Sequence, residues 1–131
     1  KIRNDNRNKI ISSFIHHSKW KNQFIFVKPE KKIKPSWFGL PILINKKYFK
    51  NKNKFLNYLT NNNIENRPII SGNFLNQPAS KLYKFKYNKK NFYNSQEIEK
   101  RGFFIGLHTQ PIPANTIKFL SDVMLNFTLF K

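Results

Sequence analysis

There is no cysteine among the 131 residues, which excludes a disulfide framework and any thiolate metal site. No apolar run approaches the roughly 18 residues that span a bilayer. Nothing at the start has the pattern of a signal peptide, so the sequence reads as cytoplasmic, with no membrane partner. Glycine is scarce. The four residues, Gly39, Gly72, Gly102 and Gly106, are scattered, and no glycine-rich phosphate loop is present. Carboxylates are scarce too: Asp5, Glu30, Glu65, Glu97, Glu99 and Asp122. Four of these fall in expected helices, and no pair has a spacing suited to acid–base work. His16 and His17 are adjacent and point in different directions, so they form no metal pair. No Ser–His–acid arrangement is legible. The chain opens on Lys1 rather than Met, as a piece of something longer would.

What is abundant is lysine. The formal net charge is +19, and Lys outnumbers Arg 21 to 4. Such a charge invites a nucleic-acid reading. However, Lys, Asn, Ile, Phe and Tyr, the residues with AT-rich codons, make up 74 of 131. A phosphate-reading surface favours the bidentate fork of Arg. Base composition therefore accounts for the charge without any ligand. A free-standing basic module that binds nucleic acid or another polyanion stays as the alternative, and even unselected lysines bind phosphate weakly at low salt.

The length is that of one domain. Residues 1–18 read as a helix with Ile10, Ile11, Phe14, Ile15 and Ser18 on one face. Residues 24–27 form a short strand, and 28–35 a basic loop bounded by prolines. Trp37 to Ile44 reads as an apolar strand that Pro41 places at an edge or in a bulge. A helix over 51–62 carries Phe55, Leu56 and Leu59 inward. Residues 64–70 form the next strand, 78–83 a short helix, and 84–93 a basic-aromatic loop. Asn94 or Ser95 caps a helix that runs to Lys100, and 103–108 is a further strand. Pro113 opens the last helix at its first position, with Ile117, Leu120, Met124 and Phe127 inward. The fold class is α+β: a small, mainly antiparallel sheet with helices packed on one face.

One stretch departs from the background. Arg67 to Pro78 holds one of four arginines, one of four glycines and two prolines. A short apolar run, Pro68 to Ile70, enters Ser71-Gly72-Asn73. Gly72 allows positive φ, and exposed amides with the Asn73 side chain can meet a polar ligand. An ordinary strand-to-turn junction has the same letters. The other notable position is His108, which follows a strand containing Gly106, since glycine inside a strand marks close approach.

Ser36-Trp37-Phe38-Gly39-Leu40-Pro41-Ile42, Ile64-Glu65-Asn66-Arg67-Pro68, Ser71-Gly72-Asn73-Phe74 with Gln77-Pro78, and Arg101-Gly102-Phe103-Phe104-Ile105-Gly106-Leu107-His108 occur in that order. As an ordered set they resemble the C-terminal part of DegT/DnrJ-type pyridoxal-phosphate-dependent sugar aminotransferases. The pattern is most similar to the branch of nucleotide-sugar 3-dehydratases acting on CDP- or GDP-4-keto-6-deoxyhexoses in deoxysugar and lipopolysaccharide biosynthesis. The resemblance implies the C-terminal domain of the aspartate-aminotransferase fold (PLP fold type I), with residues 1–18 as the helix entering it and 19–131 as the small domain. It further implies a cytoplasmic homodimer, a nucleotide-sugar substrate, and pyridoxal or pyridoxamine 5'-phosphate held by a large domain absent from this chain. The Schiff-base lysine, or the histidine that replaces it, belongs to that large domain, so no catalytic residue is expected here and none of the lysines is assigned that role. Dehydratase and sugar aminotransferase differ chiefly at that position. The substrate-binding residues implied are Arg67, Ser71, Gly72, Asn73, Gln77 and His108, with Trp37 either near the sugar or in the core.

Overall fold

The computed structural model describes residues 1–70, 72–83 and 86–128, and only the backbone of Lys89. Four helices are assigned: α1 (Ile2–Ile15), α2 (Lys52–Asn61), α3 (Tyr93–Arg101) and α4 (Ala114–Leu125). Four strands, β1 (Phe24–Phe26), β2 (Gly39–Ile44), β3 (Asn66–Arg67) and β4 (Gly102–Gly106), pair antiparallel in the order β1-β2-β4-β3. Short 3-10 segments at Phe49–Asn51, Phe74–Asn76, Pro78–Leu82 and Lys89–Phe92 fill the connections.

The sheet's two-residue period sorts its side chains. Leu40 lies opposite Ile105, Ile42 opposite Phe103, and Ile44 opposite Phe24. All six are buried on one face. Against them α1 brings Ile10 and Phe14, α2 brings Phe55 and Leu59, and α4 brings Ile117 and Met124. Each such side chain contributes about 1.5–3 kcal/mol by leaving water. Aromatic edges hold the packing together. Phe14 has ring centroids of Phe24 and Phe26 at 5.7 and 5.5 Å, and Phe55 has those of Phe24, Phe103 and Phe127 at 5.5, 5.7 and 5.2 Å. The alternate positions Ile25, Pro41, Leu43 and Phe104 face the other way and are exposed or half-buried. Beside them Phe38 is 64% exposed. No helix of the described residues is long and apolar enough to cross a membrane.

Several sequence expectations need correction. Pro41 sits in an interior strand, with an unbroken register to β4 and no bulge. It fits because β1 ends opposite Ile42, so at Pro41 that flank has no ladder to lose. The strand expected over 64–70 shrinks to Asn66–Arg67. In the same register Pro68 would face Phe103 and could donate no bond. Helix α3 needs no cap at Asn94 or Ser95, because it continues from the 3-10 turn before it and begins at Tyr93. Pro113 is the residue before α4 rather than its first, since its ψ of 148° is extended. Ile15 is exposed and Asn6 and Arg7 are buried, so the inner stripe of α1 runs 6, 7, 10, 14.

Phe55→Ala should cost about 3–5 kcal/mol of unfolding free energy by urea titration, because three ring contacts and a filled volume go together. A loss under about 1 kcal/mol would mean that this cluster does not hold the core.

Candidate functional site

The expected site residues fall into two groups, and the length of β4 separates them. The first group follows β3. Arg67 is exposed; its Nε and Nη2 both donate to Glu65 Oε1, at 2.9 and 2.6 Å. A pair this open to water contributes little to stability. Ile70 then takes φ +33° while 88% exposed, a conformation and an environment that both disfavour a β-branched apolar residue. Ser71 lies outside the described residues. The amide of Gly72 donates to Ile69 O at 2.8 Å, which closes the turn. Gly72 has φ +59°, and a Cβ there would stand 2.8 Å from Glu99 Cβ, so conformation and close approach both require glycine.

Asn73 turns inward rather than toward solvent. It is 2% exposed, and its Oδ1 accepts from the Leu75 amide at 3.2 Å, capping the 3-10 segment. Its Nδ2 is buried without a partner among the described residues. Gln77 links that segment to the next, whose Ser80 hydroxyl donates to Leu75 O and Gln77 O. The Asn76 amide donates to Glu99, so the whole turn is braced on α3, at the end where β4 begins.

The second group lies past the other end of β4. His108 is exposed, and its Nδ1 accepts from the Gln110 amide at 3.0 Å. In the neutral ring that bond places the proton on Nε2. The loop carrying it is held by Asn6, which is 1% exposed. Asn6 Nδ2 donates to His108 O at 3.0 Å and Gln110 O at 2.8 Å, and its Oδ1 accepts from the Ile112 amide at 3.0 Å. His108 borders a cleft of about 520 Å³ with Phe38, Glu65, Gly106 and the α4 residues Ile117 and Leu120. A hollow of about 160 Å³ adjoins it, sharing Phe38, Glu65 and Gly106 and adding Arg67 and Phe104. Arg67 thus borders the hollow beside Phe104, on the sheet face away from the helices, and His108 the cleft on the helix side; Phe38, Glu65 and Gly106 line both, and Gly72, Asn73 and Gln77 line neither. Trp37 is half-buried against the core, and the Arg7 guanidinium lies 4.8 Å from its ring centroid.

Asn6 was missed by sequence reasoning, although a signal existed. It stands four and eight residues before Ile10 and Phe14, a polar residue on an apolar stripe. The other histidines are engaged elsewhere: His16 Nδ1 lies 2.9 Å from Ser12 O at the end of α1, and His17 Nε2 lies 2.8 Å from Asp122 Oδ1. No group of three possible metal ligands occurs among the described residues. Lysines are spread over all four helices and the loops, and none lines the cleft of His108 or the hollow of Arg67. The expected mark of a polyanion surface, lysines lining one groove with Arg67, is absent there.

A Schiff-base lysine needs a depressed pKa and open space around Nζ. Lys52 has a lowered pKa, caused by burial and opposed by Glu99. Its Nζ donates to Glu99 O at 2.9 Å, so it serves the last turn of α3. Because Lys52 is depressed in the folded state, the folded protein resists its protonation. That penalty is full below the folded pKa and fades as pH rises toward the ordinary value of 10.5. The parent should therefore gain stability relative to Lys52→Met as pH rises from 8 toward 10.5 in urea titrations. A constant difference would refute the assignment.

No protein-family model matches the chain. Over 90 residues, or 68% of its length, it is 31% identical to GDP-4-keto-6-deoxy-D-mannose 3-dehydratase of Escherichia coli O55:H7 (strain CB9615 / EPEC), and it spans 23% of that enzyme. Among solved structures, 94% of the chain superposes on 30% of a GDP-4-keto-6-deoxymannose-3-dehydratase holding a trapped PLP-glutamate geminal diamine, at TM-score 0.73 and 25% identity. The E. coli enzyme with bound hydrated PLP gives TM-score 0.74 at the same identity and coverage. A mutant form with bound GDP-perosamine gives 0.74 as well. The chain is thus homologous to a C-terminal portion of this PLP-dependent dehydratase and has the fold of that part of a PLP fold type I enzyme.

Proposed function

We propose that this chain is the small C-terminal domain of a PLP-dependent GDP-4-keto-6-deoxyhexose 3-dehydratase of deoxysugar biosynthesis, working in a homodimer. Residues 1–18, with α1 over Ile2–Ile15, would be the segment that enters the domain, and a large domain outside this chain would hold the cofactor. The observation that carries the reading is the superposition of 94% of the chain on under a third of such an enzyme. The half-covered apolar face of Ile25, Leu43 and Phe104, a surface suited to packing against another domain, agrees with it.

The cofactor, when bound, supplies the electron sink. The residues here would bind and orient substrate. Arg67, released from Glu65, would pair with a phosphoryl oxygen. His108 would donate from Nε2 to an acceptor in the cleft it borders. The Ser71–Asn73 turn and Gln77, off the opposite end of β4, would meet a different part of the ligand. There the Gly72 amide is already used by Ile69 O, and Asn73 would have to turn outward to offer its spare Nδ2.

A chimera tests this reading. The E. coli O55:H7 enzyme, with its matching C-terminal portion replaced by this chain, should dehydrate GDP-4-keto-6-deoxymannose. A chimera that folds and retains PLP but forms no product would contradict the proposal. In the active chimera, Arg67→Ala should raise KM about threefold with PLP affinity unchanged, the modest size following from an exposed, already paired cation. An unchanged KM would remove Arg67 from the site.

A further inference from the structure

We infer that Arg3 is the principal phosphate-binding residue of this domain, acting with the Nε2–H of His108 in a cleft that runs on both sides of its guanidinium. The inference rests on the nucleotide-sugar reading above and assigns that ligand's phosphoryl groups to residues that sequence reasoning did not single out.

Of the four arginines, three are engaged within the chain. Arg67 is held by Glu65. Arg101 donates to Glu97 at 2.8 Å and to Ile44 O at 2.7 Å. Arg7 donates to Val27 O and to Asn8 Oδ1, with Trp37 beneath it. Arg3 has no acceptor among the described residues; its Nε, like that of Arg7, is buried and unpaired, but Arg7 has acceptors for both its Nη atoms. Arg3 is partly buried, and its enclosed Nε–H lacks the bond that normally offsets desolvation.

Its placement indicates which acceptor would suit it. Arg3 is the wall between two hollows. On one side is the cleft of about 520 Å³ that His108 borders. On the other is a hollow of about 510 Å³ whose lining includes Lys1, Lys34, Ser36, Trp37 and Thr109, and no carboxylate. The consecutive residues His108 and Thr109 cross the same divide. Three cations, two hydroxyls and an indole around one hollow suit a phosphate-bearing ligand with an aromatic or apolar part, and the volume is of nucleotide-site size, within about 300–1,000 Å³. The cleft's carboxylate, Glu65, already accepts from Arg67. Asn6 holds the wall in place through its three bonds to His108, Gln110 and Ile112, so the site needs little ordering when a ligand arrives.

The test is an NMR titration of the 15N-labelled full chain with pyrophosphate and with GDP, reading the Arg3 Nε–H and the His108 and Thr109 amides. Those signals should move together. Arg3→Gln should weaken GDP about tenfold or more, whereas Lys54→Gln, with the same loss of charge on exposed α2, should weaken it less than about twofold. Arg3→Lys, which keeps the charge and loses the fork, should fall between and guards against a folding defect in the first variant. Equal loss from Arg3→Gln and Lys54→Gln, or shifts spread over many lysines with Arg3 silent, would overturn the inference. Pyrophosphate capture at Arg3 with GDP no tighter would keep the anion site and sink the nucleotide reading. A chimera that turns over while Arg3 stays silent would sink the Arg3 site alone.

Discussion

The pairing of β2 with β4 is the constraint on which the other features depend. It sets Leu40 beside Ile105 and Ile42 beside Phe103, which fixes one face of the sheet as the floor of the core. A slip of β2 by one residue would turn Leu40 and Ile42 outward and bring Pro41 under the helices. With the floor fixed, Phe14 and Phe55 have one place to pack, and α1, α2 and α4 follow them. The β4 strand also sets the functional geometry. Its N-terminal end meets the Gly72 turn through α3, and its C-terminal end launches His108.

That geometry explains why the expected site divides. The residues that drew notice in the sequence are flanks of one short strand, and a strand rises about 3.3 Å per residue. From Gly102 to His108 the chain spans roughly 20 Å at that rise. Arg67 lies between the two ends through its pairing with Phe104, in the middle of β4. The turn at Ile70 to Asn73 remains distinctive for its strain, with a β-branched residue at positive φ and a buried amide left unpaired. Backbone strain that persists in a braced turn is the kind of feature found where ligands or partner domains are met.

Much of the fold was legible because its signals are local. The 3.6 period of Ile117, Leu120 and Met124 gave α4, the apolar run after Gly39 gave β2, and scattered glycine argued against a phosphate loop. Pro41 misled because its effect depends on how far β1 extends, and that is a property of the neighbour. The last part of the expected 64–70 strand failed at Pro68 for a reason that was visible in the letters. In the site, Gly72 was readable from its turn. The inward orientation of Asn73 was not, since Asn serves a cap and a ligand equally well. Asn6 and Arg3 belong to a helix remote in sequence from His108, and only folding brings them to its loop.

The central claim is that this chain supplies substrate contacts and a packing surface, while the cofactor is held elsewhere. Its abundant lysines make the claim directly testable. The full chain would be treated with pyridoxal 5'-phosphate, reduced with borohydride, and mapped by mass spectrometry. The account predicts partial labelling spread over many exposed lysines, with Lys52 protected by its bond to Glu99 O. Stoichiometric capture at one lysine, with an absorbance band that survives gel filtration before reduction, would contradict it.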